Sequence, residues 1–228
     1  LILETETPEE LVGVIAHETG HIASGHLFRT REAIDDITTQ ALLAQLIGIA
    51  AAIGARSGDA GMAAAAAGAT LAQQSFLRYS RAQESAADQA GLRYMQDARL
   101  PVEGLVRFME KLAAQELLPE SQQSEYMRTH PVTRDRIDFL QNAIDAQRRS
   151  YSAPAEWADL HARMKAKLYG YLFPERAVRE TGTDIPARYA RAIALYRRNQ
   201  TADAQAEIDK LIAAEPKNPW FHELKGQM

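Results

Sequence analysis

The run VIAHETGHIASGH, Val14 to His26, holds three of the chain's six histidines. His17 and His21 stand four residues apart, so on a helix both imidazoles leave the same face and can reach one ion. Glu18 lies beside that face, where a carboxylate reaches a metal-bound water rather than the metal. His-Glu-x-x-His on a helix is thus a pattern for metal-assisted peptide hydrolysis, with the glutamate as general base. A catalytic zinc also needs a third protein ligand and an open position.

His26 does not fit as that ligand. The pattern HExxHxxGxxH would put Gly at 24 and His at 27, whereas the chain has Ser24, Gly25 and His26. On a continuing helix, His26 would also point about 140° away from His21. It reads as a supporting or packing histidine. Better donors lie in RYSRAQESAADQAGLRY, Arg78 to Tyr94. Glu84 and Asp88 are four apart on an expected helix face. Glu84 can be the third ligand, and Asp88 can accept the free N–H of a ligand histidine and fix its tautomer. Taken alone, Glu84 reads more readily as a solvated carboxylate paired with Arg78 or Arg81.

The elements that must position these residues are helical. Thr7-Pro8-Glu9-Glu10 combines an N-cap, a proline at N1 and a glutamate at N3. Apolar residues at Leu11, Val14, Ile15, Ile22 and Leu27 then predict one helix from about Pro8 to Arg29. A second helix is expected over Leu77–Gln96, an amphipathic one over Leu100–Glu116, another after Pro131, and one over Leu160–Phe173. Breaks are expected at Ser150–Pro154 and Phe173–Pro186. Between the two halves of the site, residues 41–72 carry charge only at Arg56 and Asp59. A close-packed helical hairpin turning at Arg56–Gly61 is the plain reading. An apolar lid or membrane-touching flap is a second, and a true transmembrane helix a third that the length opposes, since the run before Arg56 is shorter than the roughly 20 residues a span needs. From Ala187 onward, the small/large pattern through Ala192, Leu195, Ala204, Ile208 and Leu211 up to Pro216 resembles a tetratricopeptide helix pair, and KNPWFHELKG resembles the start of a second.

Composition removes other classes. The net charge of −4 gives no case for a nucleic-acid partner. The absence of cysteine excludes disulfides, thiolate metal sites and a cysteine nucleophile. It suits cytosol and periplasm alike. The opening LILETETPEE has no Met and runs straight into a helix cap, so a fragment or processed chain is expected, and one repeat alone predicts a natural chain extending past Met228.

HETGHIASGH with RAQESAAD resembles the HExxH…ExxAD pattern of the Ste24/HtpX-type gluzincin metallopeptidases. RTHPVTRDRI, Arg128 to Ile137, resembles that family's third landmark, a His-Pro followed by an Arg. LHARMKAKLYGYLFP and the repeats are similar to the BepA-like periplasmic branch. The resemblance implies one Zn2+ per chain on His17, His21 and Glu84, Glu18 as general base, Asp88 behind the ligands, and Arg136 at the family's arginine. Arg136 could anchor the site or substrate, or form a surface ion pair. His130 is left with three roles: oxyanion donor, inhibitory fourth ligand, or helix cap. The implied fold is mainly α, with a metallopeptidase domain over 1–150, a linker helix and connection over 151–186, and an incomplete repeat array over 187–228. Of the family's small β-hairpin upstream of the HExxH helix, only LIL could remain. The implied function is a periplasmic zinc endopeptidase acting on misfolded or stalled outer-membrane proteins, its repeats contacting unfolded polypeptide or the assembly machinery. The alternative is a latched, non-catalytic zinc-binding chaperone or adaptor working through its repeats. An integral membrane protease would need further spans.

Overall fold

A computed structural model describes residues 1–55, 58–116, 118–147 and 151–228. Among them the regular structure is helical, with no strand, as the composition of the segments predicts. By internal contacts the chain forms two compact units, Val12–Tyr151 and Leu1–Leu11 with Ser152–Met228.

The first unit carries His17, His21, His26 and His130. Its leading helix, α1 (Pro8–Ala23), starts where the cap predicts: Thr7 Oγ1 accepts from the Glu10 N–H at 3.3 Å, while the Glu10 carboxylate accepts from the Glu6 N–H at 2.7 Å. It stops earlier than the apolar period suggests. Gly25 adopts φ +66°, and the Gly25 and Ser24 amides donate to Ile22 and Gly20 at 3.0 Å. The Gly25 carbonyl then receives the Phe28 and Arg29 amides, both at 3.2 Å, which opens α2 (His26–Ala55). Glycine enters the left-handed region without the steric cost other residues meet, so Ser24-Gly25 ends one helix and begins the next inside a continuous apolar pattern.

The ExxAD helix also differs from expectation. α3 (Gly58–Asp97) is one helix of 40 residues, not a segment starting at Leu77. Of the turn expected at Arg56–Gly61, Gly58–Gly61 is already helical, and positions 56 and 57 lie outside the described residues. α2 and α3 pack side by side. Their outer surfaces stay bare: Leu42, Leu43, Leu46, Ile47, Ile49 and Ile53 are all exposed, Ile53 at 73%. By length and composition Phe28–Gly54 could cross a membrane, and 6% of its apolar window is buried.

α4 (Glu103–Gln115) supplies the largest share of this unit's core, burying Leu105, Val106, Phe108, Met109 and Leu112 on one face. These meet Val14 and Ala16 of α1, Leu92 and Met95 of α3, Met127 of α5 (Glu125–Thr129), and Ile137 and Leu140 of α6 (Arg134–Asp145). Ser124 caps α5 by accepting the Met127 amide at 3.2 Å.

The second unit contains α7 (Trp157–Leu172), α8 (Pro174–Ala177), α9 (Ile185–Arg197), α10 (Thr201–Ala214) and α11 (Pro219–Gln227). The break expected over 173–186 therefore holds a helical turn. Tyr189, Ala192 and Ile193 of α9 pack with Ile208 and Leu211 of α10 and Phe221 and Leu224 of α11. The amino-terminal residues join this unit. Buried Thr5 donates to the Ile2 carbonyl at 2.7 Å, its Oγ1 lies 2.8 Å from His161 Nε2, and its carbonyl accepts from Lys165 Nζ. LIL is not a strand remnant, since Ile2–Glu4 forms a 3-10 turn.

Candidate metal centre

α1 and α3 cross at unusually close range because glycines stand at the crossing. A Cβ on Gly20 would lie 2.7 Å from the Ala87 carbonyl oxygen, and one on Gly91 would lie 3.1 Å from the His17 amide. Gly20 is the second variable residue of His-Glu-x-x-His, and Gly91 lies three beyond Asp88. Their missing side chains let the face of His17 and His21 meet the face of Glu84 and Asp88.

The result is a convergent donor set. One donor atom from each of His17, His21, Glu84 and His130 falls within 4.8 Å of the others. The His17 and His21 Nε2 atoms are 3.0 Å apart, and they lie 3.4 and 3.3 Å from the Glu84 carboxylate oxygens. His17 Nδ1 is 2.9 Å from Asp88 Oδ1, so the Asp88 carboxylate is positioned to accept the Nδ1–H and leave a lone pair on Nε2. His21 Nδ1 is paired at 2.9 Å with His26 Nδ1. With His21 Nδ1 as donor, two imidazole lone pairs and a carboxylate face one point, an arrangement that a cation satisfies and that no hydrogen bond between the rings fully does. The residues fit a divalent ion that takes nitrogen and oxygen ligands, and zinc is the usual occupant of such a set.

His26 thus lies against a ligand candidate, as a supporting residue would. The reason differs from the expected one: the break at Gly25 reorients it, so the 140° separation on a continuous helix does not apply.

Arg136 organises the carboxylates. Its Nε and Nη2 donate to Asp88 at 2.6 and 2.8 Å, and its Nη1 donates to the Pro131 carbonyl at 2.7 Å and lies 2.9 Å from Glu84 Oε2. It is 7% exposed, so it is no surface ion pair. Burial alone would raise the Glu84 carboxyl, but hydrogen bonds from His130, His17 and His21, and the charge of Arg136, hold it far below the ordinary range. The same contest keeps Asp88 low, Arg136 being the main opponent of burial. For His17, burial pushes downward and is outweighed by the hydrogen bonds to Asp88 and Glu84, which leave it above an ordinary histidine.

His130 follows α5, ahead of Pro131. Its Nδ1 sits 3.1 Å from Glu84 Oε1 and its Nε2 3.6 Å from Glu18 Oε1, so it spans the ligand set and the proposed base. Tyr126 stacks on it, with centroids 4.5 Å apart and planes at 26°. Burial, and then the neighbouring Glu18 carboxylate, raise the Tyr126 phenol above its ordinary value. Motif reasoning passes over Tyr126, although its i, i+4 spacing from His130 is a readable sign of a shared face. Glu18 is the most open of the group, with a side chain 35% exposed.

With this geometry in place the comparisons are specific. The model of peptidase family M48 matches residues 1–144. The chain belongs to peptidase family M48. M48 members are metal-dependent peptidases, which agrees with the His/Glu cluster. Similar curated proteins include the beta-barrel assembly-enhancing protease of Yersinia pestis, 29% identical over 96% of this chain, and that of Escherichia coli K12, 26% identical over 96%. A putative beta-barrel assembly-enhancing protease of Vibrio cholerae is 27% identical over 97%. This M48 chain spans 46 to 47% of the length of these relatives.

Proposed function

We propose that the M48 unit is a zinc endopeptidase of the bacterial periplasm acting on misfolded or stalled outer-membrane proteins. The observation that carries the chemistry is the four-donor convergence, with Glu18 at its rim beside His130. The names of the relatives support the link to β-barrel assembly.

His17, His21 and Glu84 hold the ion, which supplies Lewis-acid activation of water and of the scissile carbonyl. Glu18, beside the ligands but not among them, takes the proton of the attacking water and returns it to the leaving amine. Such a proton transfer is worth roughly 10²–10⁴-fold in rate. Asp88 holds the His17 tautomer, and Arg136 holds Asp88 and Glu84. In this reading His130 serves as a fourth donor that closes the site until it withdraws. The helix pair α9–α10 with α11 begins a tetratricopeptide array that meets client or assembly machinery.

The experiment is zinc content and cleavage of an unfolded protein by Glu18→Gln and His130→Ala. Glu18→Gln keeps stoichiometric zinc and loses cleavage; normal cleavage removes Glu18 from the mechanism. His130→Ala cleaves faster with zinc retained. A slower His130→Ala assigns that residue to stabilising the transition state instead.

A further inference from the structure

Residues 37–55 of α2 and 60–77 of α3 contain no charged residue, and no aromatic occurs between Phe28 and Phe76. Leu42, Leu43, Leu46, Ile47, Ile49 and Ile53 are each more than half exposed. At 100° per residue they cover an arc of about 160° on α2. Ala44 falls outside that arc and faces α3, where a Cβ on Gly68 would overlap the Ala44 Cβ. On α3, Met62 and Leu71 are exposed at 70% and 64% on opposite sides of the helix. The small residues are spent on the seam and the large ones on the outside, the reverse of a hairpin packed into a protein core.

From this arrangement we infer that the distal α2–α3 hairpin is a membrane-docking element that lies in the surface of a phospholipid bilayer. Two features select lipid over a protein partner. Protein interfaces take their energy from aromatic and arginine anchors in a polar rim, and this surface has neither. A lipid asks only for apolar area, which the arc provides without interruption. The charges sit where headgroups would be: Arg29, Arg31, Glu32, Asp35 and Asp36 at the base of α2, Arg78 and Arg81 on α3, and Asp59 near the turn. Phe28, 80% exposed, stands at the same level as the basal arginines. The hairpin does not cross. The uncharged stretch 37–55 is about 28 Å long, just short of a hydrocarbon core of about 30 Å, but it opens on the polar Thr38, Thr39 and Gln40, and a carboxylate beyond its far end opposes deep insertion. Lying along the interface keeps both charged ends wet and turns the apolar arc into the acyl boundary.

The test is flotation of the full chain with vesicles of phosphatidylethanolamine and phosphatidylglycerol. The wild type rises with the vesicles. The triple variant Leu46→Gln, Ile49→Gln, Ile53→Gln, altered only at exposed helix positions, partitions roughly 100-fold less, with zinc content and helicity unchanged. A wild type that stays in the dense fraction overturns the inference, as does a triple variant that floats normally. So does a lipid-free dimer that the triple variant dissociates, since the occupant would then be a second copy of the chain. None of these outcomes depends on peptide cleavage, so the docking inference and the peptidase reading fail separately.

Discussion

At the scale of single residues, the site is a contest between burial and pairing. Glu84, Asp88, His17 and Arg136 are all buried, and each would be costly alone. They persist because every charge faces an opposite one or a hydrogen-bond donor within about the reach of a side chain. Asp88 carries the most leverage, since it joins His17 to Arg136 without reaching the ion position. Asp88→Asn removes the negative charge while keeping the shape. Zinc affinity is expected to fall by roughly 10- to 100-fold, the usual cost of a lost carboxylate behind a ligand histidine. A competitive chelator titration measures it, and unchanged affinity would show that His17 needs no orienting partner.

At the scale of elements, the crossing of α1 and α3 decides whether two separate motifs become one site. Gly20→Ala puts a methyl group against the Ala87 backbone, which cannot swing aside as a side-chain end would. A loss of about 1–3 kcal/mol is expected, read as a lower thermal midpoint, together with weaker zinc binding as Glu84 moves off the histidines. Stability loss with full zinc affinity would mean that the crossing can relax without parting the ligands. Much of this was legible in the sequence. His17 and His21 stand out by i, i+4 spacing with Glu18 beside them, Glu84 and Asp88 gained their roles only through the resemblance of ExxAD to a family pattern, and the helical class showed in the near absence of strand patterns. The end of α1 was hidden because apolar residues continue in phase through Ile22 and Leu27 while Ser24-Gly25 turns the backbone. The full length of α3 was hidden because alanine favours helix wherever it stands and so marks no boundary. Tyr126 escaped because its role is defined by what it stacks on.

At the scale of the whole molecule, each unit has its own sensitivity to conditions. Both tryptophans, Trp157 and Trp220, lie in the unit formed by Leu1–Leu11 and Ser152–Met228, so intrinsic fluorescence reports that unit. There, burial and then the charge of Lys165 lower the pKa of His161, which holds Thr5. The unfolded chain binds the proton more readily, so this contribution to stability is complete above about pH 6.5 and is lost as the pH falls through the lower folded value. The fluorescence-detected urea midpoint should therefore drop between about pH 7.5 and 5.5, and His161→Gln should flatten that drop; an equal slope in the variant would clear His161 of the effect. In the other unit, α3 is a rigid shaft of about 60 Å that carries an apolar arm at one end and Glu84 and Asp88 near the other. The number of residues between them is therefore an angular setting. One residue inserted between Leu71 and Glu84 turns the arm by about 100° about the shaft. Insertions or deletions in this stretch are therefore expected to preserve both functions only as whole turns, since otherwise the apolar arc and the ligand face fall out of phase.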